Sequence, residues 1–96
     1  MVEEQVVVLN RLGLHARAAA RLVRTAGAYR SQIRLERADR SASADAKSLL
    51  SVLMLAASRG TSLRATAEGT DEREALGAVC ALIASGFGEM EPEPKV

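Results

Sequence analysis

The spacing of the apolar residues changes repeatedly along the chain, and this constrains the fold more than any other feature. Residues 4–9 contain a run of valines that is typical of a buried strand. After His15 the spacing becomes helical, with one apolar stripe that ends just before Gly27. The stripe consists of Ala19, Leu22, Val23 and Ala26. The pattern therefore predicts a strand followed by a helix, with turn residues 10–13 between them.

Three further segments show the alternation that is typical of strands. Residues 32–36 and 63–68 alternate between apolar and polar side chains, as half-buried strands do. Residues 41–44 alternate more weakly, with alanine as the only apolar residue, which favours an edge strand. Together with the first strand, these segments predict a sheet of four strands.

Two more segments have helical spacing. A helix is predicted over residues 47–58 and is apolar nearly all round, with Gly60 as its stop. A last helix is predicted to begin at Asp71, where Glu74 stands at the spacing of a capping box. The inner stripe of this helix is Leu76, Val79, Cys80, Ile83 and Phe87. Because a helix as apolar as the second cannot bury its whole circumference in a small domain, some apolar surface must stay exposed.

The resulting order is β-α-β-β-α-β-α, in a single domain over residues 1–89. This order favours an α+β fold in which helices cover one face of a mostly antiparallel sheet. The pattern alone leaves the strand order open, and a ferredoxin-like split βαβ arrangement fits almost as well. Residues 90–96 form a polar tail with two prolines, which we predict to be disordered.

Composition limits the classes of partner and cofactor. The 13 basic and 12 acidic residues nearly cancel, so neither nucleic acid nor a membrane is expected as a partner. Tyr29 and Phe87 are the only aromatic residues, too few for a platform on which bases stack. The single cysteine excludes an internal disulfide and a zinc cluster, and no metal or cofactor is expected. A start without a signal-peptide pattern, and no run of 18 apolar residues, predict a cytoplasmic protein.

The segment Gly13-Leu14-His15-Ala16-Arg17 carries the strongest chemical signal. It places the only histidine between a glycine turn and the first turn of a helix. A helix N-terminus has unsatisfied N–H groups and about half a positive charge, so it favours an anion. The backbone amide of Ala16 and the guanidinium of Arg17 are suited to hold a phosphoryl group on His15. The alternative is that His15 is only a capping or surface residue.

This segment resembles the active-site signature of the histidine-containing phosphocarrier (HPr) family of the sugar phosphotransferase system. Further pieces agree in order along the chain, including the stretches at residues 46–51, 67–69 and 87–89. The resemblance covers nearly the whole chain to Glu89. It implies an open-faced β-sandwich, in which three helices pack on one face of a four-stranded antiparallel sheet. Alanine stands at residue 18, where the family usually has proline.

The resemblance also implies a pathway and a set of site residues. Phosphoenolpyruvate phosphorylates enzyme I, which passes the phosphoryl group to Nδ1 of His15, and a sugar-specific IIA component then accepts it. Arg17 matches the arginine that supports the phosphoryl group. Ser48 matches a serine that a kinase phosphorylates in some members, although its hydroxyl is equally suited to cap the second helix. The implied partner surface is Ala20, Arg24, Leu49, Leu50 and Leu53, alongside Arg17.

Three functions remain open at this point. The first is a monomeric phosphocarrier, which is a substrate of enzymes and not a turnover enzyme. The second is a regulatory binding module of the same fold, which acts through its phosphorylation state as nitrogen-branch paralogues do. The third is a small nucleic-acid-binding α/β domain, which the charge balance and the low aromatic content disfavour.

Overall fold

Four strands form one sheet in a computed structural model that describes residues 1–89. They are β1 (Val2–Val7), β2 (Gln32–Arg37), β3 (Ser43–Asp45) and β4 (Ser62–Glu68). Their order across the sheet is β1-β4-β2-β3, and each neighbouring pair is antiparallel. The short strand β3 lies at an edge, as its weak alternation predicts. The predicted tail at residues 90–96 lies outside the described residues.

Three helices complete the chain, together with a short 3₁₀ turn. They are α1 (Ala16–Gly27), α2 (Leu49–Met54) and α3 (Glu72–Ala84), and the turn spans Gly86–Gly88. The predicted order of seven elements is confirmed, and so is the open-faced α+β sandwich. None of the helices within residues 1–89 is long and apolar enough to cross a membrane.

The two faces of the sheet differ because successive side chains of a strand point to opposite sides. The buried part of the inner face is apolar, and it consists of Val6, Ile33, Leu35, Ala44, Leu63, Ala65 and Ala67. The outer face is charged, and Arg64 on β4 pairs there with Glu3 on β1 and Glu36 on β2. The three helices therefore cover one face only.

Several predicted boundaries were wrong. The first strand ends at Val7, two residues before the predicted end, and Leu9 is exposed. The second helix covers only Leu49–Met54 instead of residues 47–58. It ends because Ala56 takes a left-handed conformation (φ 53°), while Nη1 of Arg37 donates to the carbonyl oxygens of Leu55 and Ala56. Gly60 (φ 89°) belongs to the turn before β4 and does not end the helix.

The predicted inner stripes of α1 and α3 need small corrections. In α1, Ala18 is fully buried, whereas Val23 is only partly buried. Phe87 is a fully buried core residue, as predicted, but α3 ends at Ala84 and Phe87 lies in the 3₁₀ turn with φ 58°. Because the chain reverses there, Phe87 reaches the core without continuing the helix.

The predicted capping box at the start of α3 was also wrong. Asp71 precedes the helix but makes no side-chain hydrogen bond to its first turn. Its carboxylate instead accepts hydrogen bonds from the backbone N–H groups of Arg30 and Ser31 and from the Ser31 hydroxyl. The carboxylate of Glu72, not Glu74, accepts from the backbone N–H of Gly69 at 3.3 Å. Asp71 therefore ties the start of α3 to the start of β2.

We expect Asp71→Asn to lower the stability of the fold in a pH-dependent way. The Ser31 hydroxyl, and then the Arg30 N–H group, lower the pKa of Asp71 from 3.8 to about 2. A carboxyl whose folded pKa is depressed stabilises the fold above its unfolded pKa and loses that effect as the pH falls. Urea midpoints should therefore differ between the variant and the wild type at pH 7, and converge as the pH falls from 4 to 2.

Glu74→Gln is the matched control for this experiment, because it changes a carboxylate of the same region that was predicted to cap the helix. Its urea midpoints should follow those of the wild type at every pH. An Asp71→Asn curve that stays parallel to the wild type down to pH 2 would contradict the role of the ionised carboxylate.

Candidate functional site

The turn before α1 sets the position of His15. Gly13 has φ 63°, which favours glycine, and a Cβ atom there would lie 2.5 Å from the carbonyl oxygen of Ala57. The backbone N–H of Leu14 donates to that same oxygen at 2.9 Å. The turn is thus pressed against the segment that follows α2. His15 follows directly as the N-cap of α1, with extended backbone angles (φ −72°, ψ 176°).

The two ring nitrogens of His15 have different partners. Nδ1 accepts a hydrogen bond of 3.3 Å from the backbone N–H of Arg17, in the first turn of α1. Nε2 lies 2.7 Å from Oε1 of Glu89. A ring nitrogen that accepts from an N–H group carries no proton, so the neutral ring has its proton on Nε2 and donates it to Glu89. The Nδ1 lone pair consequently faces the helix N-terminus.

Glu89 is a site residue that sequence reasoning missed. Its carboxylate accepts from Nε2 of His15 and from Nδ2 of Asn10, the latter at 2.6 Å. Partial burial raises the pKa of Glu89, but the hydrogen bonds from His15 and Asn10 outweigh burial and lower the pKa overall. Glu89 is therefore ionised at neutral pH. The resemblance included Glu89 as a matching position, but nothing in the local pattern indicated contact with a residue 74 positions away.

The 3₁₀ turn holds the backbone that carries Glu89. Nη1 of Arg21, on α1, donates to the carbonyl oxygen of Phe87. Gly86, Phe87 and Gly88 all have positive φ, between 58° and 72°. The buried ring of Phe87 and the bond from Arg21 together fix the turn against α1. As a result, the chain returns to the N-terminal end of α1 just where Glu89 meets His15.

The predicted residues Ala16 and Arg17 lie where the sequence placed them. Both are exposed in the first turn of α1, and with Arg11, Leu12, His15 and Glu89 they line a shallow open depression. The guanidinium of Arg17 makes no hydrogen bond or ion pair with residues 1–89, so it is available to an incoming anion. The first turn of α1 contains no acidic residue that would repel one.

The predicted partner surface is also exposed. Leu49, Leu50 and Leu53 on α2 are 44%, 69% and 37% exposed, whereas Val52 and Leu55 supply the core. These three leucines therefore supply the exposed apolar surface that the second helix was expected to leave. Arg24 is exposed and Ala20 is partly exposed on α1, which packs beside α2. Leu12 and Met54 are exposed apolar residues that sequence reasoning missed.

Ser48 has a structural role in addition to its predicted one. It is the N-cap of α2, and its Oγ accepts from the backbone N–H of Ser51 at 3.3 Å. Oγ of Ser51 in turn accepts from the backbone N–H of Asp45. The capping alternative is therefore confirmed, and phosphorylation of Ser48 stays a prediction. Within residues 1–89, no group of three or more His, Cys, Asp or Glu side chains is placed to hold a metal ion.

Comparisons with known proteins agree with this geometry. A family model described as the PTS HPr component phosphorylation site matches residues 2–85. The phosphocarrier protein HPr of Cupriavidus necator is 45% identical over 91 residues, which cover 95% of this chain and all of that protein. The phosphocarrier protein NPr of Escherichia coli is 39% identical, over 92% of this chain and 97% of that protein.

The fold is similar to that of solved HPr structures. A crystal structure of HPr from Thermoanaerobacter tengcongensis superposes with a TM-score of 0.87 at 41% identity, and covers 95% of this chain and all of that one. The sequence and the fold thus match over the same span, and the histidine lies at the N-terminus of α1. We conclude that the chain belongs to the HPr family of the phosphotransferase system, whose members carry a phosphoryl group and are not turnover enzymes.

Proposed function

We propose that this chain accepts a phosphoryl group on Nδ1 of His15 from phosphorylated enzyme I, and passes it to sugar-specific IIA components for sugar uptake. One observation carries the proposal. His15 is held at the N-terminus of α1 with its unprotonated Nδ1 toward the exposed first turn, while Nε2 is occupied by Glu89. A nucleophile with its lone pair free of a proton, beside a site that favours anions, suits a phosphoryl acceptor.

The transfer breaks one hydrogen bond at the site, because the Nδ1 lone pair must first leave the backbone N–H of Arg17. The Nδ1 lone pair forms a bond to phosphorus while the bond from phosphorus to enzyme I breaks, and the electron pair of that bond leaves with enzyme I. The proton on Nε2 stays, so the ring becomes positively charged and pairs with ionised Glu89. The phosphoryl group brings a charge of about −1.5 to −2. Its oxygens can accept from the backbone N–H groups of Ala16 and Arg17 and from the Arg17 guanidinium.

The exposed leucines support docking of both partners on one surface. Leu49, Leu50 and Leu53 lie on α2, and Ala20, Arg17 and Arg24 lie beside them on α1. An apolar patch with basic side chains at its margin suits partners that present an apolar centre and acidic groups. A donor and an acceptor that use the same surface must bind in turn, as a carrier requires.

Phosphorylation with labelled phosphoenolpyruvate and purified enzyme I tests this function directly. We expect label on the chain only when enzyme I is present, in a form that is labile in acid and stable in base. Adding an acceptor IIA protein should then remove the label from the chain. Absence of label with an active enzyme I, or label that survives acid, would contradict the proposal.

Arg17→Ala is expected to slow phosphoryl transfer while the fold stays intact. A hydrogen bond to a charged group contributes about 1.5–3 kcal/mol, which corresponds to a rate lowered about 10- to 100-fold if the bond forms fully in the transition state. Arg17→Lys should recover part of the rate, because it keeps the charge but not the paired donors. Arg73→Ala, an exposed arginine on α3, is the matched control and should transfer at the wild-type rate. An unchanged rate for Arg17→Ala would remove Arg17 from the site.

Regulation at Ser48 by a serine kinase is a further part of this proposal. The hydroxyl is partly exposed and stands directly before Leu49 and Leu50. A phosphate there would place negative charge at the edge of the docking surface and would repel acidic partners. The expected cytoplasmic location and monomeric state also stay predictions.

The second candidate function is a regulatory module that signals through phosphorylation of the same histidine. The similarity to NPr of Escherichia coli favours it. Both functions need label on His15, so phosphorylation by enzyme I does not separate them. Onward transfer does, because a carrier delivers the phosphoryl group to a IIA component of a sugar permease and a regulatory module does not.

A further inference from the structure

Asn10 is a buried polar residue next to the site, and the proposed chemistry does not use it. Its side chain has no exposed surface. Nδ2 donates twice, to the carbonyl oxygen of Gly13 at 2.8 Å and to Oε1 of Glu89 at 2.6 Å. Within residues 1–89, no donor lies within hydrogen-bonding distance of its Oδ1. The amide therefore uses both of its donors within the described residues.

The orientation of this amide follows from its neighbours. Rotating the amide by 180° would place Oδ1 against the carbonyl oxygen of Gly13 and the carboxylate of Glu89, which are both acceptors. Only the observed orientation gives each of these oxygens a donor. The two donors of Asn10 thus link the turn before His15 to the carboxylate that binds His15.

The two donors of Asn10 distinguish it from an apolar side chain of similar shape. What an apolar side chain would not provide is the second donor to Oε1 of Glu89. Since Oε1 also accepts from Nε2 of His15, it is held between two donors on opposite sides of the turn.

The remaining freedom of Glu89 lies in its side chain. The bond from Arg21 to the Phe87 carbonyl holds the backbone two residues earlier. The side chain itself is about one-fifth exposed and, without Asn10, would keep a hydrogen bond only to His15 among the described residues. A carboxylate held at one point can turn toward water and release the ring.

We propose that Asn10 is a positioning residue, which through Glu89 keeps the proton of His15 on Nε2 and the Nδ1 lone pair toward the first turn of α1. The consequence for phosphoryl transfer rests on the function proposed above, but the effect on the ring does not. In the wild type, Nε2 should carry the proton in nearly all molecules with a neutral ring. Loss of the Asn10 amide should raise the share of molecules with the proton on Nδ1, in which no lone pair on Nδ1 remains for attack.

Nitrogen-15 NMR of the His15 ring tests this in the free protein, at a pH at which the ring is neutral. In Asn10→Leu, which removes the amide but keeps the branched shape of the side chain, the ratio of the Nδ1–H form to the Nε2–H form should rise about 2- to 10-fold, as loss of one hydrogen bond allows. It should move toward the ratio of the chain unfolded in urea. An unchanged ratio in a folded Asn10→Leu variant would overturn the proposal.

Ser31→Ala is the matched control. It removes another buried donor to a carboxylate, that of Asp71, near the far end of α1. The ratio should not change in this variant. A change of similar size in Ser31→Ala would mean that the ring responds to general loosening of the fold, and would overturn the specific role of Asn10.

Glu89 variants keep the test decisive if Asn10→Leu does not fold. Glu89→Ala removes the only carboxylate through which Asn10 acts, so it should shift the ratio at least as far as Asn10→Leu. Glu89→Gln keeps an oxygen that accepts from both donors and should retain most of the Nε2–H form. A Glu89→Ala variant with the wild-type ratio would contradict the proposal without any Asn10 variant.

Phosphorylation by a small phosphoryl donor tests whether the position of the ring proton affects the reactivity of Nδ1. With phosphoramidate, Nδ1 forms the bond to phosphorus, the P–N bond of the reagent breaks, and ammonia leaves. Asn10→Leu should be phosphorylated more slowly at Nδ1, in proportion to the fraction of the Nε2–H form that NMR measures, whereas Ser31→Ala should match the wild type. An Nδ1 rate in Asn10→Leu that does not follow the measured fraction of the Nε2–H form would overturn the role in reactivity.

The two proposals fail in different ways. If enzyme I does not label the wild type but the ring proton moves in Asn10→Leu, the carrier function fails and the positioning role stands. If enzyme I labels the wild type and the ring proton does not move in Asn10→Leu, the positioning role fails and the carrier function stands.

Discussion

His15→Ala is expected to abolish labelling of the chain by phosphoenolpyruvate and enzyme I. No other side chain within residues 1–89 offers an imidazole at a helix N-terminus, because His15 is the only histidine of the chain. The effect should be complete, since the variant removes the atom that forms the bond to phosphorus. The measurement is the incorporation of acid-labile label over time, with equal amounts of folded protein.

The alanine variant also removes the N-cap of α1, because Nδ1 accepts from the backbone N–H of Arg17. Loss of such a cap costs about 0.5–2 kcal/mol of stability. His15→Asn separates the two roles, since an asparagine side chain can accept the same hydrogen bond but has no nucleophilic ring nitrogen. We expect it to be more stable than His15→Ala and equally free of label. Acid-labile label in either variant would refute the assignment of His15.

The second large effect is expected at Gly13. Alanine there must adopt φ near 63° and place its Cβ atom 2.5 Å from the Ala57 carbonyl oxygen and 2.8 Å from Cα of Ser58. Both neighbours are backbone atoms, so the turn and the segment after α2 must move apart. The left-handed conformation costs about 1–2 kcal/mol and crowding about 1–3 kcal/mol, so we expect a loss of about 3 kcal/mol.

Two other glycines provide controls that separate the cost of the backbone conformation from the cost of crowding. Gly60 has φ 89°, and a Cβ atom added there would have no neighbour within 4 Å, so Gly60→Ala should show the conformational cost alone, about 1–2 kcal/mol. Ala56 and Phe87 already adopt such angles, which shows that the fold tolerates them. Gly27, the last residue of α1, has neither a positive φ nor a close neighbour, so Gly27→Ala should be neutral or stabilising by up to about 1 kcal/mol.

Free energies of unfolding from urea titrations compare these variants. From the most to the least stable, we expect the order Gly27→Ala, wild type, Gly60→Ala, Gly13→Ala. Gly13→Ala should also slow labelling of His15, because the turn that precedes the helix is displaced. If Gly13→Ala is no less stable than Gly60→Ala, the close approach of the turn to Ala57 is not a constraint on the fold.

Local patterns predicted the elements well wherever the buried residues recur at the spacing of a helix or a strand. The alternation at residues 32–36 and 63–68 marked β2 and β4, because one face of each strand packs on the helices. The stripe from Ala19 to Ala26 marked α1 for the same reason. The pattern failed at α2, where Leu55 and Ala57 are buried although the helix ends at Met54. The spacing of apolar residues indicates which residues are buried, and after α2 the buried residues continue into the turn that follows the helix.

Capping patterns failed where a distant partner competes for the same oxygen. Asp71 and Glu74 have the spacing of a capping box, but the Asp71 carboxylate binds Ser31, 40 residues earlier. At Ser48 no such competitor exists among the described residues, and its hydroxyl caps α2 as local chemistry predicts. Short-range rules thus hold until the fold brings a stronger donor or acceptor within reach.

The sequence by itself determined the seven elements, the apolar face of the sheet and the place of His15 at the start of a helix, because each leaves a periodic or local signature. Only the tertiary structure decided the strand order, the length of α2 and the outward direction of Leu49, Leu50 and Leu53. It alone brought Glu89 to the ring of His15 and to the side chain of Asn10. A hydrogen bond between residues 74 positions apart has no period and no fixed spacing, so it exists only once the chain has folded.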